Sequence, residues 1–218
     1  MLPGLMPVLS GAVTFSRFRA EPAGDAPSDT KRWHTKGLKT GAFEPIDQRT
    51  EEERAVGFVQ LENADATDFP PGSFLYGEYA LFGFRVDTLK VPASLLKAEL
   101  EKWAKAFEKE NGRPPTRGEK AENRASIRHM LRQRAVPNTK VHDVSWNLKT
   151  QQVQVWAASR KTVEEVMLAV ETAFSVKLQP LVPVAFAARA GIPDDALTPT
   201  PELIGLELSN SEVNHGEA

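Results

Sequence analysis

The chain has 218 residues, 41% of them hydrophobic, and a formal net charge of −2. It can therefore bury a substantial core, and it is not a uniformly basic protein. It contains no cysteine, which excludes disulfides, thiolate catalysis and cysteine-based zinc sites. Residues 1–18 lack the basic start of a signal peptide, and no apolar run is long enough to span a bilayer, so we expect a cytoplasmic protein without a membrane segment.

Strand and helix patterns alternate in the first 90 residues. Asp29 is placed to cap a short helix, and Gly41 is placed to end it. Phe82, Phe84 and Val86 recur at period 2, as one face of a strand requires. The predicted elements are, in chain order, a strand over 8–18, a loop over 20–29, a helix from 30 to about 38, a strand over 58–61, a turn at 70–72 and a long strand over 74–90.

A pair of long helices is predicted in the middle of the chain. Pro92 suits the start of the first helix, and the Asn-Gly-Arg-Pro-Pro sequence at 111–115 ends it. Thr116 and Glu119 have the spacing of a capping box that opens the second helix, which ends before Pro137. The apolar stripe of the first helix recurs at i, i+4, i+7 and i+11 and consists of Leu96, Leu100, Trp103 and Phe107.

The remaining pattern predicts two strands over 141–148 and 153–157, a third long helix, and a final strand over 177–184. Two prolines in that final strand indicate a position at the edge of a sheet. From residue 191 the sequence is acidic and rich in proline, so we expect a poorly ordered tail over 191–218. The order of elements predicts an α+β fold, with antiparallel sheets and packed helices forming one body over 1–190 and a subdivision near residue 90 left open.

Charge is unevenly distributed along the chain. Residues 97–140 contain 12 lysines and arginines but six acidic residues, a local excess of +6, and the rest of the chain therefore carries −8. Cations in rows on two helices can bind a phosphate backbone, although a solvated helix surface is also commonly rich in lysine and arginine. The cations in these rows are Lys102, Lys105 and Lys109 on the first helix and Arg117, Arg124, Arg128 and Arg132 on the second.

Catalytic and cofactor motifs are not found in the sequence. It has no GxSxG, SxxK, P-loop or GxGxxG pattern and no histidine spacing typical of a metal site, so we expect neither an enzyme nor a bound metal or cofactor. Trp33 lies among Lys31, Arg32 and Lys36. It is interpreted either as a DNA contact or, by preference, as a packing anchor with solvated neighbours.

Several local motifs, taken in order, resemble the RdgC family of recombination-associated proteins. The similarity covers about 170 residues and rests on the accumulation of motifs, since none of them is chemically decisive alone. The motifs are, in chain order, Gly41-Ala42-Phe43-Glu44-Pro45, Gly57-Phe58-Val59, Lys90-Val91-Pro92-Ala93-Ser94-Leu95-Leu96-Lys97, Val144-Ser145-Trp146-Asn147, Val153-Gln154-Val155-Trp156-Ala157-Ala158-Ser159-Arg160-Lys161 and Leu181-Val182-Pro183-Val184.

The resemblance implies a non-enzymatic protein that binds double-stranded DNA without sequence preference. By position, the candidate DNA-binding residues that it implies are Lys102, Lys105, Lys109, Arg113, Arg117, Arg124, Arg128 and Arg132. It further implies a homodimer that encloses the duplex, restrains a RecA-type recombinase indirectly and associates with the nucleoid. The family continues beyond the Val-Pro strand, so the chain is expected to be a shortened member. The alternative is an RdgC-like scaffold that has lost its DNA role and serves as a protein-interaction module, which the near-neutral net charge and the acidic tail favour.

Overall fold

The computed structural model describes residues 14–24 and 28–197, apart from the side chains of 194 and 195. These residues form seven strands and five α-helices, together with 3-10 turns at Pro71–Ser73 and Asp194–Leu197. The predicted α+β class is confirmed. In chain order the elements are β1 (Ser16–Pro22), α1 (Thr30–Thr40), β2 (Arg54–Val59), β3 (Leu75–Tyr76), β4 (Tyr79–Thr88), α2 (Ala93–Asn111), α3 (Arg117–Arg134), β5 (Asn138–Asn147), β6 (Gln152–Val155), α4 (Arg160–Phe174), β7 (Val176–Pro180) and α5 (Pro183–Arg189).

The strands form one sheet in the order β2-β4-β5-β6-β1-β7, and β3 pairs with β4 beside this row. The longest ladder joins β4 to β5 in antiparallel register, from Tyr79 opposite Asn147 to Thr88 opposite Asn138. Because β7 is the last strand of the row, the predicted edge position of the final strand is confirmed.

The main core lies on one face of the sheet. Phe82 and Phe84 of β4 join Val144 and Trp146 of β5 in one buried cluster, as the period-2 pattern predicts. Their neighbours Leu81 and Gly83 are buried on the opposite face of the sheet. Helices α1 and α4 contribute their apolar faces to the same cluster, through Leu38 of α1 and Val166, Val170 and Phe174 of α4.

Glycine is required where α1 meets α4. A Cβ atom built on Gly37 would lie 2.4 Å from two ring atoms of Phe174, so any larger residue would push the helices apart. Trp33, four residues earlier, packs edge-on against Trp146 and Phe174, with ring centroids 5.5 and 5.3 Å away. Trp33 is therefore a packing anchor, which was the preferred interpretation of its basic neighbourhood.

Several predicted strand boundaries are wrong. The strand predicted over 58–61 is Arg54–Val59, and the strand predicted over 74–90 is divided into β3 and β4 by a turn at Gly77. Strand β1 continues into the predicted loop as far as Pro22, because the backbone amide of Ala20 donates to the carbonyl of Gln151 and β1 also lies beside β7. Residues 8–13 of the predicted strand and residues 25–27 of the loop lie outside the described residues. The final strand ends at Pro180, and Pro183 opens helix α5. Proline lacks the N–H that a first helical residue does not need, so this proline starts a helix where an extended strand was predicted.

By its internal contacts the chain divides into a unit over 1–178 and a smaller unit over 179–218. The larger unit contains the core and the helices α1 to α4. The described part of the smaller unit contains α5 and the turn Asp194–Leu197. This boundary lies nearer the N-terminus than the predicted start of the tail at 191. Residues 198–218 of that tail lie outside the described residues.

Candidate nucleic-acid interface

Helices α2 and α3 form a helical arm whose ends follow from local sequence. Gly112, with φ of +66°, adopts the left-handed conformation that ends α2. At the start of α3 the capping box is present as predicted. The hydroxyl of Thr116 accepts a hydrogen bond from the amide of Glu119, and the Glu119 carboxylate accepts one from the amide of Thr116 at 2.7 Å.

The arm is inserted between two neighbouring strands. Its root is closed by the last pair of the β4–β5 ladder, Thr88 opposite Asn138. None of the residues 93–134 belongs to the main core cluster. The arm therefore packs mainly on itself and presents most of its surface to solvent.

The two helices of the arm meet along a half-covered apolar seam. Trp103 and Phe107 of α2 lie with ring centroids 5.4 Å apart, and Ile127 of α3 is buried. No residue of α2 is buried, and Leu95 is 44% exposed. The seam is sufficient to pair the helices but leaves apolar surface uncovered.

The three predicted lysines of α2 are exposed. Lys102, Lys105 and Lys109 lie at i, i+3 and i+7, so they form one row on the side of α2 away from the apolar stripe. Within the described residues none of the three makes an ion pair, whereas the nearby Lys97 reaches Glu101 at 3.9 Å. The lysine row is free to bind an external anion.

Arg113 is held within the turn of the arm. Its guanidinium donates two hydrogen bonds to the Glu119 carboxylate at 2.8 and 3.0 Å and lies 5.2 Å from the centroid of the Phe107 ring. The guanidinium of Arg113, with the Thr116 amide and hydroxyl, lowers the pKa of Glu119 to about 2. Arg113 therefore stabilises the turn, and its charge is already compensated.

The arginines of α3 divide into two groups along the helix. Arg117 and Arg124 are exposed and form no ion pair among the described residues. Arg128, nearer the root, donates to the Glu53 carboxylate at 2.9 Å. Arg132 is only 4% exposed and donates to the backbone carbonyl of Glu52.

Arg132 is a predicted DNA contact, but the segment before β2 covers its side chain. Together Arg128 and Arg132 fix the root of α3 to the residues that lead into β2. The predicted row of four arginines is therefore structural at its root and solvent-exposed towards the turn of the arm.

Sequence reasoning missed Lys120, which is exposed and belongs to the same row as Arg117 and Arg124. The signal was available, since these three residues follow each other at i, i+3 and i+7. Lys102 lines one cleft with Ile127 of α3, and Arg124 lines another with Lys97 of α2, so cations of both helices border the seam of the arm.

A family model described as "Putative exonuclease, RdgC" matches residues 25–193. The chain belongs to the RdgC family. The match spans α1 to α5 and includes the whole arm, which confirms the resemblance found in the motifs. No curated protein matches the chain. Membership of the RdgC family suggests a recombination-associated protein of the nucleoid.

The description of the RdgC family names an exonuclease, so residues that could hold a catalytic metal are of interest. Over residues 14–24 and 28–197, no three or more histidine and carboxylate side chains are grouped in a way that could hold a metal ion. His129, on α3, is exposed, and its Nε2 atom lies 3.0 Å from the side-chain Nε2 of Gln133.

Among the helices that the structure describes, none is long and apolar enough to cross a membrane.

Proposed function

We propose that this RdgC-family protein binds double-stranded DNA without sequence preference, through phosphate contacts made by the helical arm. The proposal rests on the five predicted cations that are exposed and not paired with a carboxylate in the described structure. These are Lys102, Lys105, Lys109, Arg117 and Arg124. Lys120 lies in one row with Arg117 and Arg124.

The type of contact follows from the chemistry of these side chains. Lysine and arginine are protonated at neutral pH and have no acceptor, so they bind phosphate oxygens. The lysine row from Lys102 to Lys109 extends about 10 Å along the helix axis. Each phosphate that such a row neutralises releases a condensed counterion, which drives binding without reading the bases.

A salt titration tests this proposal. Binding of fluorescently labelled duplexes of two unrelated sequences is measured by anisotropy over a range of salt concentrations. If five phosphates are neutralised, log K should fall with log salt with a slope of about −4.5, and the two sequences should give similar affinities. An absence of binding at low salt, or a strong preference for one sequence, would remove the proposal.

Family membership supports two finer proposals about assembly. We propose that the protein is a homodimer that encloses the duplex and, by occupying DNA, restrains a RecA-type recombinase in the cytoplasm at the nucleoid. Light scattering of the purified protein should give twice the monomer mass. Strand exchange by a RecA-type recombinase should slow as the protein is added, and variants that have lost DNA binding should not slow it.

We propose that DNA binding is not coupled to hydrolysis. The exposed cations of the arm bind anions, but in their protonated form they cannot accept the proton that activation of a water requires. End-labelled single- and double-stranded DNA incubated with the protein and Mg²⁺ or Mn²⁺ should keep its length. Progressive shortening that follows the protein through purification would show that the family description applies to this chain.

A second candidate function is supported by the uncovered apolar surface of the arm. Leu95 and the half-covered stripe of α2 are surrounded by charged residues, which is typical of a surface that binds another protein. In that case the arm would serve as a protein-interaction module. Capture of partners from a nuclease-treated lysate distinguishes the two functions, because partners bridged by DNA are lost on treatment.

A further inference from the structure

A pocket of about 550 Å³ lies at the root of the arm. Its floor is the end of the sheet where Arg54, Thr88 and Asn138 stand in one row across β2, β4 and β5. The segments that lead into and out of the arm contribute Lys90 and Val136 to its wall. The start of α4 closes the opposite side, and we call this space the root pocket.

The root pocket is lined by cations and by no carboxylate among the described residues. Its basic residues are Arg54, Lys90, Lys140, His142 and Lys161. Arg54 is compensated, since its guanidinium donates to both oxygens of Glu165 at 2.8 and 2.6 Å. In the part of the chain that the structure covers, the three lysines have no acidic partner, so the pocket carries excess positive charge.

Hydrogen-bond donors complete the wall. Thr88 and Thr162 contribute hydroxyl groups, Ser159 contributes a third, and Asn138 contributes a side-chain amide. An anion with several oxygens needs donors from several directions, and it gains most where charged donors are among them. The volume lies in the range of small-molecule sites and admits a phosphate group together with the nucleoside that carries it.

The pKa of the His142 imidazole depends on the charges that line the root pocket. Burial lowers the pKa of its imidazole, and the nearby charges of Lys140 and Arg54 lower it further, against the opposing effects of a hydrogen bond with the backbone of Trp156 and of the Asp143 carboxylate. A bound anion would offset the two cations. The imidazole of His142 is therefore a direct reporter of occupancy.

We propose that the root pocket binds a phosphate group, held by Lys90, Lys140 and Lys161 and by the hydroxyls at the start of α4. The phosphate is either free, as inorganic phosphate or a nucleotide, or it is the terminal phosphate of a DNA strand. The pocket is separate from the lysine and arginine rows of the arm. The inference therefore does not rest on DNA binding by the arm.

Calorimetry with the full-length protein tests the proposal. Inorganic phosphate and a deoxynucleoside monophosphate are titrated into the wild type, into a Lys140→Glu/Lys161→Glu variant, and into a Lys31→Glu/Lys36→Glu control. The control lysines are exposed on α1 and do not line the pocket. We expect binding to weaken by about tenfold or more in the first variant, since each reversal turns attraction into repulsion, and to stay within about twofold in the control.

A nuclear magnetic resonance titration provides a readout at the site. Saturating phosphate should raise the pKa of His142 and leave His34, buried on α1, unchanged. Equal binding by the wild type and the Lys140→Glu/Lys161→Glu variant would overturn the proposal. So would an absence of phosphate binding by the wild type or an unchanged His142 resonance.

The source of the phosphate is decided with a hairpin duplex that ends in either a 5′-phosphate or a 5′-hydroxyl. Tighter binding of the phosphorylated end, lost in the pocket variant, assigns the site to DNA ends. Equal binding of both ends, with free phosphate still bound, assigns it to a small ligand. An Arg117→Ala/Arg124→Ala variant should bind inorganic phosphate normally even where its affinity for duplex has fallen, which keeps the two proposals distinguishable.

Discussion

Thr88 and Asn138 face each other as the last residue pair of the antiparallel ladder between β4 and β5. The chain leaves the sheet at the first residue, forms both helices of the arm, and returns at the second. The sheet therefore does not need the arm to complete its hydrogen bonding. Substitutions on the exposed surface of the arm are expected to change binding while leaving the core intact.

The exposed and the paired arginines of α3 should contribute differently to DNA binding. Arg117→Ala/Arg124→Ala should weaken duplex binding by roughly tenfold or more at low salt and make the salt slope shallower by about 2, since each removes one phosphate contact. Arg128→Ala should have a smaller effect, because Glu53 already compensates its charge. Anisotropy titrations measure both quantities, and equal losses in the two variants would contradict this division.

Arg132 should matter for stability and not for DNA affinity. Its side chain is buried and donates to the Glu52 carbonyl. Arg132→Ala leaves that carbonyl without its partner and removes packing, so we expect a loss of about 1–3 kcal/mol in the free energy of unfolding. Urea unfolding measures the loss. Normal stability combined with weakened DNA binding would show that Arg132 reaches the surface in solution.

The contact between α1 and α4 should not tolerate a side chain at residue 37. Gly37→Ala places a Cβ atom 2.4 Å from the ring of Phe174, and we expect a loss of about 1–3 kcal/mol in unfolding free energy from overpacking. Gly118→Ala on α3 is the matched control, since a Cβ there meets nothing within 4 Å. This control should be neutral or slightly stabilising, as alanine favours a helix. A similar loss in both variants would show that the close approach is not the cause.

Stability should fall as the solution is acidified below the ordinary pKa of histidine. Burial lowers the pKa of His34, against a hydrogen bond with the Thr30 carbonyl at 2.8 Å. Below a pH of about 6.5 the unfolded chain binds a proton that the folded chain does not, so the stabilisation present above that pH is lost as the pH falls towards the lowered pKa.

A single group of this kind changes the free energy of unfolding by at most about 1.4 kcal/mol per pH unit. Urea unfolding of the wild type at pH 7.5 and 5.0 measures how far the free energy of unfolding falls between the two pH values. A His34→Phe variant should show a smaller fall. The difference should not vanish, because the pKa of His142 is lowered in the same direction. An unchanged pH dependence in the variant would exclude His34 as the source.

Local patterns predicted the elements that depend on neighbouring residues. The spacing of Leu96, Leu100, Trp103 and Phe107 located α2, and the pairing of Thr116 with Glu119 located the start of α3. Both depend on contacts within a few turns of helix. The α+β class followed from the order of such elements. The strand boundaries that were wrong depended on pairing with distant strands, on a turn within an apolar segment, or on a proline that suits either a strand edge or a helix start.

The sites were less predictable because their surroundings come from distant parts of the chain. Helical geometry correctly placed Arg132 beside Arg128. It carries no information about Glu52, whose carbonyl binds Arg132, or about Glu53, which pairs with Arg128. Lys90, Lys140 and Lys161 attract no notice as single residues. They become neighbours only when the β4–β5 ladder and the start of α4 are assembled.

Because the β4–β5 ladder closes at Thr88 and Asn138, the arm can be removed without altering the pairing of the two strands. Joining Thr88 to Asn138 by a tight turn would convert the insertion into an ordinary hairpin with its register unaltered. The sheet and the arm therefore depend little on each other for their structure, apart from the attachment of α3 through Arg128 and Arg132. The arm is thus a removable module, and a chain that lacks it should keep the same sheet and the same core.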